Sequence, residues 1–420
     1  MCYKKQIYDR WSKLTLLLVG VSLLASCQIQ SSGSNNSESD TLSTSPIPTI
    51  VAQEQTGILE RVKARGKLIC GVDGDLVGFS EVDQDGNWQG FNVDFCKAIA
   101  AAVLGDGEAV EFKSLMVSER FTAIQNYDVD VLMHNTTWTL SRDTENEIIF
   151  SPPIFYDGQG IMVKVKSASE DNQPELDSEP ETQDIQDPDE SSDPVSNNNS
   201  TDPAAAPPNT PEPPDYPPAD SITSLVDLDG MSICVLEGIG LAHLDAALRE
   251  LEVEYLPLSA NNAEQLFADY AADQCDAVSI ETSQLAAWRS GQPLADRHKI
   301  LSPVMSKEPF SIVTINSDDR WHDVVSWVIY ATFYAEELGI NQENYAIFTD
   351  TSDPEIAKFL GLTDALGITL GLAPDWTTQI LASVGNYADI YERNLAPLGW
   401  PRGLNSSWQD GGLLYAMPFR

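Results

Sequence analysis

Asn135-Thr136-Thr137-Trp138-Thr139-Leu140-Ser141-Arg142-Asp143 gathers a guanidinium, several hydroxyls and an amide within one short stretch. It follows Asp128-Val129-Asp130-Val131-Leu132-Met133, whose alternation passes into an apolar run and reads as a buried strand. The polar groups are therefore expected just past a strand's carboxyl end, where open α/β sheets bind small ligands. A guanidinium there can hold a carboxylate through two parallel hydrogen bonds, and hydroxyls can donate to the same group. Thr137 and Arg142 read as a carboxylate clamp. The competing reading is a polar loop whose arginine pairs with Asp143 or Glu145. Asp73 and Phe79 follow another strand, and Glu281 ends a third. One arginine with two carboxylates suits a zwitterion carrying α-carboxylate and α-ammonium groups, with Phe79 against its side chain.

The surrounding elements alternate. Helix 58–65 is stopped by Gly66. Strand 67–72, a loop over 73–80, turn chemistry at Asp85-Gly86-Asn87, helix 93–103, strand 110–112, and helix 118–125 capped by Ser118 follow. After the clamp come strands 160–165 and 231–236, then Glu237-Gly238-Ile239-Gly240 opening helix 241–250. Strand 253–256, helix 262–272, strand 275–280 and strand 311–315 precede a helical C-terminal region. This rhythm predicts two α/β units with mostly parallel sheets and a cleft between them.

The net charge of −40 over 420 residues excludes nucleic acid as a partner and disfavours adsorption on an anionic membrane. Lys4, Lys5, Arg10 and Lys13 precede a short apolar run, Leu14 to Ala25, which reads as a signal peptide over residues 1–27 rather than a membrane span. The run ends in Leu24-Ala25-Ser26-Cys27, which resembles a lipobox with Cys27 as the lipidated residue. Residues 28–55 read as a flexible tether. Residues 167–220 hold 12 prolines and 15 acidic residues with no Lys or Arg, and are expected to be a disordered insert.

Several ordered motifs carry a resemblance. They are Gly71-Val72-Asp73 through Gly78-Phe79-Ser80, Gly90-Phe91-Asn92-Val93-Asp94-Phe95-Cys96, Glu119-Arg120-Phe121, Asn135 to Asp143, Tyr156-Asp157-Gly158-Gln159-Gly160, and the tail Val384-Gly385-Asn386-Tyr387 … Arg402-Gly403-Leu404-Asn405. Together they resemble the general L-amino-acid-binding proteins of polar amino-acid ABC importers, the solute-binding proteins of family 3. The resemblance implies an α/β, type II periplasmic binding protein fold, two α/β lobes joined by two crossing strands near 156–160 and 308–311. Lobe 1 would comprise 56–157 plus 311–420, and lobe 2 would comprise 158–310. It implies that Arg142 and Thr137 bind the ligand's α-carboxylate, that the Asn135 carbonyl and Glu281 face its ammonium, that Asp73 occupies the acidic position of lobe 1, and that Phe79 walls the side-chain pocket. Ile239 and Gly240 would offer backbone amides at a helix N-terminus. Glu281 stands in place of the family's Asp, and Glu237-Gly238-Ile239-Gly240-Leu241 replaces a hydroxyl-rich run, which leaves room for a changed ligand.

The expected role is a periplasmic substrate-binding lipoprotein that delivers a polar L-amino acid to ABC permease subunits. It would be a monomer without cofactor, metal site or catalysis. The alternatives are an enzyme on the same scaffold, dehydratase-like, or a ligand sensor of the cell envelope. Cys70, Cys96, Cys234 and Cys275 allow three pairings. Pairing within each unit, Cys70 with Cys96 and Cys234 with Cys275, is expected in an oxidising compartment, against an alternative of four buried thiols.

Overall fold

The computed structural model describes residues 57–167, 216–302 and 304–420, all within the unit Gln55–Arg420. The signal segment, the tether, Cys27 and most of the acidic insert lie outside the described residues.

In chain order, α1 (Ile58–Arg65) ends on Gly66 at φ 71° and leads into β1 (Leu68–Val72). A small three-stranded sheet of β2 (Asp75–Leu76), β3 (Ser80–Val82) and β4 (Trp88–Gln89) follows, where a plain loop was expected. Then come α2 (Phe91–Leu104), β5 (Val110–Ser114), α3 (Arg120–Gln125), β6 (Val131–Thr137), α4 (Leu140–Glu145) and β7 (Ile148–Asp157). β8 (Gln159–Lys164) starts one residue later. It precedes β9 (Ser232–Leu236), α5 (Ile239–Glu250), β10 (Leu256–Ala260), α6 (Ala263–Ala271), β11 (Ala277–Glu281), α7 (Thr282–Ser290) and β12 (His298–Ile300). β13 (Glu308–Ile315) and α8 (Asp319–Glu337) open the helical C-terminal region.

The strands form two sheets of one design. The first runs β5-β1-β6-β13-β7 and the second β10-β9-β11-β8-β12. In each, three parallel strands are followed by one that runs against them and then by an edge strand that runs with them. This is the two-lobed type II arrangement that the motifs implied. α8 buries Trp321, Val325, Val328 and Ile329 in the core of the first lobe. Asp318 accepts from Trp321 N at 3.0 Å and from Ile58 N at 2.6 Å, so one carboxylate caps both α8 and α1.

The chain crosses between sheets at Gly158. On one side of it Asp157 pairs with Glu308, and on the other Gln159 pairs with Glu281. A Cβ on Gly158 would lie 2.5 Å from the Ser306 carbonyl oxygen, so the two crossing segments meet closely only because this residue is glycine. Ser306 Oγ accepts from Gln159 N at 3.0 Å and donates to Glu308 Oε1 at 2.9 Å. The return passage lies between Ile300 and Glu308, so residues 308–310, assigned to lobe 2 by sequence, pair in the first sheet.

Two further expectations are corrected. Ser118 does not cap α3, whose N-cap is Glu119 with no side-chain bond. The insert ends earlier than residue 220: Lys166 N donates to the Pro217 carbonyl at 2.8 Å, and Tyr216 Oη donates to Asp273 at 2.8 Å. An aromatic ring beside the Lys164 ammonium, 5.8 Å from the ring centre, holds this end on the second lobe. Lys164 and Gln159 stand at opposite ends of β8, about 17 Å apart at ~3.4 Å per residue. Lys166 and Pro217, described residues on either side of the insert, therefore lie toward the end of β8 away from the crossing.

Both disulfides join residues of one lobe. Cys70–Cys96 has a Cα–Cα distance of 6.3 Å and Cys234–Cys275 one of 5.8 Å. They close loops of 26 and 41 residues, which loop entropy makes worth about 3.5 and 4 kcal/mol. Cys→Ser replacement of either pair is expected to lower unfolding free energy by that order, read from denaturant midpoints. Midpoints unchanged for both pairs would show that neither loop constrains the unfolded chain.

Candidate ligand-binding site

β6 does not end at Met133 but runs to Thr137, because β13 continues to pair with it. Between the pairs Leu132↔Val313 and Thr136↔Ser311, four steps along β6 face two along β13. The surplus is a bulge at His134 and Asn135, and Asn135 takes φ 44°, which asparagine tolerates. The bulge re-aims Asn135. Its Oδ1 accepts from Asn92 Nδ2 at 2.8 Å, while its buried Nδ2 has no partner among the described residues.

The residues after β6 form a helix rather than a loop. Thr139 caps α4 by accepting from Arg142 N at 3.3 Å. Arg142 Nη1 donates to the Thr137 carbonyl at 2.9 Å, which aims the rest of the fork away from the helix. No ion pair with Asp143 or Glu145 is present among the described residues. Instead the half-buried guanidinium is pulled down by burial and held up by the carboxylates of Glu308 and Glu281. Glu281 closes β11 and is held at Oε2 by Gln284 Nε2 at 2.9 Å. Burial is the largest influence on it and raises its carboxyl, Glu308 adds to the rise, and Arg142 and His243 oppose it. Arg142 from one lobe, Glu281 from the other and Glu308 from the crossing thus share one electrostatic field.

The second lobe contributes the start of α5. Gly238 at φ 86° turns the chain into the helix, whose first N–H groups, on Ile239 and Gly240, have no intrahelical acceptor. Ile239 is 72% exposed. Gln159 Nε2 donates to the Gly240 carbonyl and to Ser279 Oγ, each at 2.9 Å, tying this turn to the crossing strand. At the crossing, Asp157 accepts from Gly158 N at 2.8 Å and Ser283 N at 3.2 Å. Burial pushes its carboxyl up to about 7.

Asp73 follows β1 directly and lies beside His134 and Asp75 at the same sheet edge. Phe79 lines a small cavity together with His134 and Asn135. It is fully buried, edge-on to Phe91 at 5.9 Å and to Phe155 at 5.4 Å, which packs its ring into the core beneath that edge of the sheet. Gly78, at φ 78°, turns the chain so that the ring points inward.

Glu308, Arg120 and Gln159 escaped sequence reading as site candidates. Glu308 carried one signal, its place beside Pro309 at the expected second crossing. Arg120 was legible only as part of the motif Glu119-Arg120-Phe121, with no role attached to it.

The family model for bacterial extracellular solute-binding proteins, family 3, matches residues 68–353. The general L-amino acid-binding periplasmic protein of Rhizobium johnstonii is 36% identical over 86% of this chain and 92% of its own. The glutamate/glutamine/aspartate/asparagine-binding protein of Rhodobacter capsulatus is 35% identical over 86% of this chain and 93% of its own. A solved ABC transporter periplasmic binding protein from Brucella ovis, with glutathione bound, is 36% identical. It superposes with a TM-score of 0.70, covering 87% of this chain and 99% of that one.

Proposed function

Because this chain belongs to the bacterial extracellular solute-binding proteins, family 3, we propose that it captures polar L-amino acids between its lobes and hands them to the permease of an ABC importer. It is a periplasmic solute-binding protein with the type II fold. The observation that carries the choice of ligand is the field shared by Arg142, Glu281 and Glu308. One cation facing two carboxylates across the lobes complements a zwitterion. In this reading Arg142 and Thr137 hold the α-carboxylate, assisted by the amides of Ile239 and Gly240, while Glu281 and the Asn135 carbonyl take the ammonium. Asp73 faces the side chain. Hinge closure about Gly158 and the return passage buries these charges with their partners.

The finer parts of the reading rest on sequence. A lipid on Cys27 tethering a monomer is supported by the basic segment, the short apolar run and Leu24-Ala25-Ser26-Cys27. Binding without turnover is supported by the kinship with solute-binding proteins.

Calorimetry of the protein, stripped of carried-over ligand by unfolding and refolding, tests the reading against the twenty L-amino acids. Glutathione is added because its γ-glutamyl group bears the same zwitterion. Micromolar or tighter binding by several polar amino acids is expected. Binding by none would move the search to other small carboxylates.

A further inference from the structure

His134 Nε2 lies 2.7 Å from the Leu115 carbonyl, which can only accept, so Nε2 carries a hydrogen. Nδ1 faces Asp73 Oδ2 at 3.4 Å. If the ring is neutral, that nitrogen offers a lone pair to a carboxylate, and two acceptors face each other. The carboxyl of Asp73 also lies in hydrogen-bonding position to that of Asp75, where again two acceptors meet unless one is protonated. A proton on Asp73 can relieve either conflict, since its O–H can point to His134 Nδ1 or to the Asp75 carboxylate. Ser114 Oγ donates to the Asp73 carbonyl at 2.6 Å, so the loop does not simply swing away.

Arg120, on α3, faces the same group. It is 7% exposed, donates to the His134 carbonyl at 3.4 Å, and its buried Nε has no partner among the described residues. Its charge is felt by Asp73 and opposed by Arg142, so the two guanidinia are neighbours at one end of the first sheet. A buried guanidinium N–H without an acceptor is costly unless something arrives to accept it. This corner therefore combines an unspent donor with a carboxyl whose proton can be present or absent.

We propose that Asp73, Asp75, His134 and Arg120 form a side-chain subsite in which one mobile proton lets the same pocket take either a carboxylate or a carboxamide at the ligand's far end. Arg120 donates to a side-chain oxygen in both cases. A carboxamide also donates its N–H to ionised Asp73, and the cluster's proton leaves to solvent. A carboxylate instead accepts from protonated Asp73, and the cluster takes a proton from solvent if it lacks one. Burial, Asp75 and its hydrogen bond raise the Asp73 carboxyl to about 7, with Arg120 opposing, which lets both states form near neutrality. Burial and Arg120 depress His134, while Leu115 and Asp75 pull the other way.

This inference rests on the amino-acid reading above, and its test separates the two. Calorimetry of the full chain with L-glutamate, L-glutamine and L-alanine at pH 6 and 8, in buffers of different ionisation enthalpy, reads both affinity and protons. Glutamate binding should take up protons and glutamine binding should release them. The glutamate-to-glutamine affinity ratio should fall by up to about a hundredfold from pH 6 to 8. In Asp73→Asn the amide donates or accepts at any pH, so both proton signals and the pH dependence of the ratio should vanish. A ratio constant with pH and no proton exchange, while alanine still binds, would overturn the subsite and leave the amino-acid reading standing. Failure of all three ligands to bind would overturn both.

Discussion

Arg142→Ala is expected to weaken amino-acid binding at least a hundredfold while leaving the protein folded. The fork spends one N–H on the Thr137 carbonyl, which fixes its aim and leaves the remaining donors for a ligand. Truncating one partner of a desolvated, hydrogen-bonded charge pair costs about 2–5 kcal/mol, and each 1.4 kcal/mol is about tenfold in affinity. The loss has a second source. Glu308 already raises the Glu281 carboxyl, and Arg142 is a nearby cation that opposes this. Without it the empty cleft becomes more acidic and repels an α-carboxylate outright. Stability should change little, because the side chain is half-buried on a six-residue helix and makes no ion pair within hydrogen-bonding reach. Arg142→Lys should recover only part of the affinity, since a point charge cannot reproduce two parallel bonds. Calorimetry beside thermal melts checks this. Retained affinity in a folded Arg142→Ala protein would remove Arg142 from the site.

The fold was legible where pattern and period agree. Strands β1, β9 and β11 read correctly because short apolar runs between turn residues and helices have few other uses. The disulfide pairing followed from each cysteine's place in its own α/β unit. The end of β6 was misread for a physical reason. Asn135-Thr136-Thr137 looks like loop chemistry, yet strand pairing with β13, 170 or more residues away, overrides local polarity and extends the strand through a bulge. A bulge has no sequence signature here beyond an asparagine, and that residue's positive φ appears only once β13 is in place. The burial of Phe79 was not legible, because a loop aromatic can turn toward solvent or core, and its packing depends on Phe91 and Phe155 from other elements.

The site was half legible by the same logic. Arg142 and Glu281 end strands or open helices, where sheet topology puts ligand groups, and so could be found one lobe at a time. Glu308 acts on both only because the chain returns between the sheets beside Asp157 and Gln159, a juxtaposition with no local trace. Arg120 required knowing that α3 packs against β6 and β13. Residues whose role depends on two elements meeting are the ones that sequence reading loses.

Glu281→Gln is expected to weaken amino-acid binding by about one to two powers of ten, with opposite effects on affinity and stability. The side chain keeps its length and its contact with Gln284, so the change removes charge rather than shape. Burial holds the Glu281 carboxyl above its ordinary range, which means the empty, folded protein gives up its proton less readily than the unfolded chain. Such a group destabilises the fold as pH rises above the unfolded value, and the cost is complete once pH exceeds the folded one. Gln removes that cost, so the ligand-free variant should melt higher than the parent at pH 8 and equally at pH 4. Affinity moves the other way. An ammonium ligand needs the ionised carboxylate, so parental binding should weaken as pH falls through the raised Glu281 value, and the variant should lose that acid limb. A deaminated analogue of the preferred amino acid, which has no ammonium to satisfy, should bind the variant better than the parent. Glu308 provides the control, because it lies in the same field from the crossing rather than from lobe 2. If Glu281→Gln costs less than threefold while Glu308→Gln costs tenfold or more, the ammonium sits at the hinge and the assignment to Glu281 is wrong.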